Sequence, residues 1–154
     1  MIHKTLQILL LVLIYFIQAE IKGQYFMQGR LVLIGKTINT NSEILKSDMH
    51  IVLNNDTIIH MLQEDSFEVT LDRDDCYEVY FSNLGYKSKL LLVDTRNSGE
   101  NEDGYEMPLE ITLEKGNNGK KKITPVGLVF YDSETDLYKT SSYYPPLTVR
   151  SLKC

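Results

Sequence analysis

Proton and metal chemistry near neutral pH most often runs through histidine, so His50 and His60 come first in this chain. They fall on neighbouring expected strands, where a favourable cross-strand register brings two imidazoles together. A zinc site needs three or four ligands, so the pair reads as surface side chains and no metal site is expected. The third histidine, His3, belongs to the amino-terminal apolar segment. Carboxylates gather on two expected loops, Asp72, Asp74 and Asp75 on one, and Glu100, Glu102 and Asp103 beside Gly104 on the other. Oxygen clusters of this kind suit calcium outside a cell, but neither follows the EF-hand ligand spacing, and both read as solvated acidic turns. No serine sits in a GxSxG elbow, and no Walker or Rossmann loop is present to cradle a phosphate. The expectation is a chain with no catalytic, cofactor-binding or metal-binding residues, no cofactor, and no enzymatic activity.

Cysteine adds little to that inventory. Cys76 and Cys154 are the only two, too few for a thiolate zinc site and without a CxxC redox spacing. An oxidising compartment permits them to pair. Cys76, at the start of an apolar-polar alternation, reads more simply as a small buried hydrophobe, while Cys154 ends a polar tail; whether they pair stays open.

The elements that would carry these residues begin after an address. Met1 to Lys4 supplies a short positive start and Leu6 to Ile17 an apolar run broken only by Gln7, the layout of a secretory signal. The run is shorter than the ~20 residues a membrane-spanning helix needs, so residues 1–23 are expected to be a cleavable signal peptide, with no stable membrane span after cleavage. Ala19 and Gly23 both suit the cleavage position, and the mature chain then begins near Glu20 or Gln24. No cysteine follows the run to accept a lipid, so the protein is expected in the periplasm, at the cell surface or outside the cell, free or held by protein contacts.

The 154-residue chain is long enough for one hydrophobic core, and 43% hydrophobic with 24% charged residues is ordinary for a globular protein. Removing residues 1–23 takes away Lys4, Lys22 and Glu20, so 16 basic and 21 acidic side chains become 14 and 20. An acidic domain repels phosphate backbones, and Lys120, Lys121 and Lys122 form a lone basic run that reads as a solvated loop. Nucleic acid is not an expected partner.

From Tyr25 onward the sequence shows short Val-, Ile-, Leu-, Tyr- and Phe-rich runs separated by Gly, Asn and Asp, with no sustained helical period. Strands are expected near Met27 to Ile34, Met49 to Leu53, Thr57 to Leu62, Phe67 to Leu71, Tyr77 to Phe81, Lys87 to Asp94, Met107 to Leu113 and Val126 to Tyr131. Asn54, Asn55 and Asp56 suit a tight hairpin because short polar side chains tolerate left-handed backbone. Asp72 to Asp75 and Asn83 to Gly85 read as further hairpin connections, with Gly85 free to take a positive φ. Phe67, Val69 and Leu71 alternate with Glu68 and Thr70, so one face packs and the other is wet. Such strands close best as two stacked antiparallel sheets. The expected fold is an all-β Greek-key sandwich of seven or eight strands over residues 24–131, with a small barrel as the second choice.

The segment Phe67 to Thr95 resembles the carboxypeptidase-regulatory-like, or transthyretin-like, β-sandwich domain of exported proteins of Bacteroidetes-type bacteria. The likeness rests on Phe67, Tyr77, Phe81 with Ser82, and Gly85 with Tyr86, Lys87 and Lys89. It extends more loosely from Gly29 to Leu113, and departs at Asp65-Ser66, where such domains usually carry Asp-Gly. The resemblance implies a transthyretin-like sandwich serving as an accessory or interaction module, with no catalytic residues to carry over.

Residues 132–154 read as a Tyr/Pro-bearing tail, with Tyr138, Tyr143, Tyr144, Pro145 and Pro146. The preferred reading is that these tyrosines lie along the domain's own sheet; the functional reading is a docking segment for a partner, since tyrosine is favoured at interfaces for its rigid area and polar tip. The functional expectation is an envelope module that binds another envelope or secreted protein through a sheet edge or this tail. The alternative is a small ligand, a glycan or calcium held by the loops 96–106 and 115–122.

Overall fold

A computed structural model of the chain describes residues 29–99, 101, 103–116 and 123–142. The expected signal peptide, Lys120 to Lys122 and the end of the expected tail lie outside them. The described residues form strands β1 (Leu31–Asn39), β2 (Ser47–Leu53), β3 (Asp56–Gln63), β4 (Phe67–Leu71), β5 (Cys76–Ser82), β6 (Lys89–Asp94), β7 (Tyr105–Leu113), β8 (Thr124–Asp132) and β9 (Leu137–Ser141), and no helix.

Two sheets result, one ordered β4-β1-β7 and the other β3-β2-β5-β6-β8-β9. Alternation sets their inner faces. Phe67, Val69 and Leu71 on β4 and Tyr77, Val79 and Phe81 on β5 are buried, as the sequence pattern requires. They meet Leu31, Leu33, Met49, Ile51, Leu91, Val93, Ile111, Leu113 and Val129 in one core. Each such side chain contributes about 1.5–3 kcal/mol on burial, and the Phe67 and Phe81 rings pack 5.5 Å apart at a tilted angle. The fold is all-β and sandwich-like; with two separate sheets, a closed barrel is not formed.

The expected all-antiparallel pairing is corrected. β1 runs parallel to β7 and β6 parallel to β8, because the connection between the members of each pair passes through the opposite sheet. Parallel neighbours require such a crossover. The turn at Asn54 and Asn55 is a hairpin as expected, both residues having positive φ, 53° and 70°, the left-handed pair that matches strand twist. Gly85 likewise has a φ of 85° within the β5–β6 connection. Asp72 to Asp75 does not close a hairpin: β4 and β5 lie in different sheets, so this segment crosses between them. Thr95, fully buried, pins the crossing, its hydroxyl 2.8 Å from the Asp72 carbonyl oxygen and 3.1 Å from the Asp75 amide nitrogen.

Two further expectations change. Residues 137–141 were expected to belong to an irregular tail, but they form β9, antiparallel to β8 from Leu128↔Ser141 to Asp132↔Leu137. The short, mixed sequence LYKTS carries too little alternation to show as a strand by itself. Cys76 is half-buried and disulfide-bonded, in place of the small buried hydrophobe that its position suggested. Cys154, the chain's other cysteine, lies outside the described residues.

Candidate functional site

The register does bring the two histidines together. His50 and His60 are directly opposite on β2 and β3, and their rings stack with centroids 4.2 Å apart and planes 10° from parallel. Face-to-face rings direct their in-plane nitrogens side by side, which suits stacking and not convergence on one ion. His60 Nε2 lies 3.6 Å from Asp48 Oδ1, both side chains being largely exposed. Among the described residues no cluster of three or more His, Cys, Asp or Glu side chains can hold a metal ion.

The first acidic loop, Asp72 to Asp75, lies at the end of the sandwich where β1 begins and β4, β6 and β8 end, whereas Glu100 and Glu102 of the second lie outside the described residues. Arg30 pairs with Asp72 at 2.7 Å. Tyr77 donates its hydroxyl to the Asp72 carbonyl at 3.2 Å, and burial together with the nearby Asp75 and Asp72 pushes its pKa up to about 12. Beside them Tyr105, Tyr131 and Tyr138 pack edge to face, with centroids 5.2 to 5.8 Å apart. The hydroxyls of Tyr105 and Tyr131 donate to Asp136 Oδ1 at 2.9 and 2.7 Å. Those two hydrogen bonds hold the Asp136 carboxyl below the usual carboxylate range. Gly99 lets the cluster close: a Cβ there would stand 2.6 Å from the Tyr131 hydroxyl and 2.7 Å from Asp136 Oδ1. Because Tyr105 comes from the small sheet and the others from the β8–β9 hairpin, the cluster fastens one sheet to the other. Burial raises the Tyr138 pKa, opposed by the Ser98 side chain beside its hydroxyl.

The described ends of the loops 96–106 and 115–122 lie at opposite ends of the sandwich, and residues 117–122 lie outside the described residues. The first joins β6 to β7 at the tyrosine end, while the second leaves β7 and enters β8 at the opposite end. Its first residues are tied to the β5–β6 connection by the Tyr86↔Lys115 bridge and by Lys87 Nζ, 2.8 Å from Glu114 Oε2. A cleft of about 470 Å³ lies between β7 and the β8–β9 pair, lined in part by Lys89, Glu110, Glu114 and Thr140. Lys89 there is buried, with Nζ 3.3 Å from Glu114 Oε1, and shares that carboxylate with Lys87.

The sheet edges differ sharply. Strands β4 and β9 are five residues each, and β7 carries Pro108, Glu106 and Glu110. Short length, proline and charge are the usual devices that keep an edge from pairing. β3 has eight residues, DTIIHMLQ, with one charge at its first position and no proline. Its outward row is Ile58, His60 and Leu62, with Ile58 47% and Leu62 65% exposed. Sequence reading identified β3 as a strand without identifying it as an edge. The absence of Lys, Arg, Glu and Pro from Thr57 to Gln63 was the available signal.

No family model matches the chain, and no curated protein matches it. Among solved structures it is similar to a catechol 1,2-dioxygenase from Acinetobacter inhibited by bound mercury, at 9% identity and a TM-score of 0.40. The match covers 63% of this chain and 58% of the dioxygenase, so the chain spans little more than half that protein's length. That solved structure is of an enzyme, against the expectation that this chain is none. At that TM-score the likeness assigns this chain neither a reaction nor a substrate.

Proposed function

We propose that this chain is an exported accessory module that binds another envelope or secreted protein by taking an extended segment of that protein along β3. The observation that carries the reading is the contrast between edges: among the described residues β3 alone of the four edge strands is long and free of proline, with exposed Ile58 and Leu62 alternating along it. Unpaired backbone donors and acceptors give an incoming strand its affinity, and the side-chain row gives it selectivity. The stacked His50 and His60 add a flat aromatic surface beside that row.

Within this reading the domain is a transthyretin-like Greek key. What supports it is the strand order, in which β2 pairs with β5 and β1 with β4 across intervening strands, the non-sequential pairing that a Greek key produces. The resemblance through Phe67, Tyr77, Phe81, Gly85 and Tyr86 supports the same reading, as does the signal-like amino terminus for export. The test is binding to the partner once it is isolated: Ile58→Lys with Leu62→Lys should abolish binding with folding intact, and unchanged affinity would exclude β3 as the contact.

A further inference from the structure

Where β7 faces the β8–β9 pair, the cleft of about 470 Å³ between the sheets falls within the size of small-molecule sites, about 300–1,000 Å³. The pleat accounts for its shape. Val129 of β8 points into the core, so Gly127, two residues earlier, faces the same way without a side chain. A larger residue there would project into the cleft, its Cβ already 3.2 Å from the Ser141 carbonyl oxygen and 3.7 Å from Leu91 Cδ1. The β6–β8 register slips between Leu90 and Leu91, and Val126, the residue that the slip adds, packs against the core at the cleft wall. Leu91 and Ile111, both buried, supply an apolar floor.

One charged side chain is built into that floor. Lys89 has the inward parity of Leu91 and Val93 on β6 and stands opposite Phe81 of the core. Its side chain is only 8% exposed, whereas lysine ordinarily keeps its ammonium in water. An ammonium has three donors. Among the described residues its acceptor is Glu114 Oε1 at 3.3 Å, and the other oxygen of that carboxylate takes Lys87 Nζ at 2.8 Å. The second carboxylate of the cleft, Glu110, is paired with Lys36 at 3.1 Å. Three lysines thus share two carboxylates, and the excess positive charge falls on the side where Lys89 is buried. Burying an ammonium is costly unless an anion and hydrogen bonds compensate it, so this side of the cleft favours one further carboxylate.

We propose that the cleft binds a small organic acid with an apolar body, its carboxylate meeting the Lys89 ammonium and its hydrocarbon or aromatic part lying on Leu91, Ile111 and Val126. Lysine suits the task as a compact charge with rotatable donors. A sugar would leave that charge unmatched, and a phosphate monoester would bring about two negative charges to one excess lysine. The site adjoins β9, at the opposite edge of the six-stranded sheet from β3, and does not rest on the partner reading.

Methyl NMR of the full chain with phenylbutyrate and hexanoate, each against its neutral amide, tests it. At least one acid is expected to shift the methyls of Leu91, Ile111 and Val126, leave those of Ile58 and Leu62 unmoved, and bind about tenfold more tightly than its amide. Lys89→Met keeps the apolar stem and removes the charge; it should weaken the acid by about tenfold and leave the amide unchanged. Should that variant fail to fold, Thr140→Glu, at an exposed position lining the cleft, sets a like charge beside the ligand and should weaken the acid alone. No methyl shift with either acid, equal binding of acid and amide, or unchanged acid binding in the folded variants overturns the site.

Discussion

At the residue scale, single polar atoms decide how the sheets are joined. Thr95 has the clearest role, since its hydroxyl serves both an acceptor and a donor in the β4–β5 crossing. Thr95→Val keeps the shape and strands both groups, so it should cost about 1–3 kcal/mol, read by urea denaturation against wild type. Asp136 gives a pH signature. Its folded pKa lies below the ordinary carboxylate value, so its contribution is complete above about pH 4 and is lost as pH falls through the lowered value. The difference in melting temperature between wild type and Asp136→Asn should therefore shrink as the pH is lowered below the ordinary carboxylate range; a constant difference would mean that the carboxylate charge is irrelevant to the cluster. None of this was legible in the sequence, because Tyr105, Tyr131 and Asp136 meet only after the chain has changed sheets. The register of His50 and His60 was similarly out of reach, although the residues themselves stood out.

At the element scale, alternation revealed most strands and their inner faces, since Phe67 to Leu71 and Tyr77 to Phe81 carry a period of two that sidedness enforces. It could not reveal which strands become edges or run parallel, because pairing order depends on the crossovers. β9 was missed for the related reason that an edge strand of five residues need not alternate cleanly. The exposed row of β3 predicts that Ile58→Lys and Leu62→Lys change stability by no more than about 0.5 kcal/mol each, measured by thermal unfolding. A larger loss would mean that the two side chains support the domain's own packing.

At the scale of the whole molecule, a six-stranded sheet faces a three-stranded one, and they are tied at one end by the Tyr105, Tyr131 and Asp136 hydrogen bonds. Composition and strand patterning were enough to indicate an all-β chain with one core. The unguarded edge was hidden from them, because a gatekeeper charge matters only where a strand lacks a neighbour. The central claim is that β3 receives a strand of another protein, and site-specific photocross-linking in the producing cell tests it most directly. A photoreactive residue at position 58 or 62 should capture one recurrent protein that the same probe at Leu137 on β9 does not, with capture lost when the unprobed member of the Ile58 and Leu62 pair is changed to Lys. Equal capture from β3 and β9, or none from β3, would contradict the account.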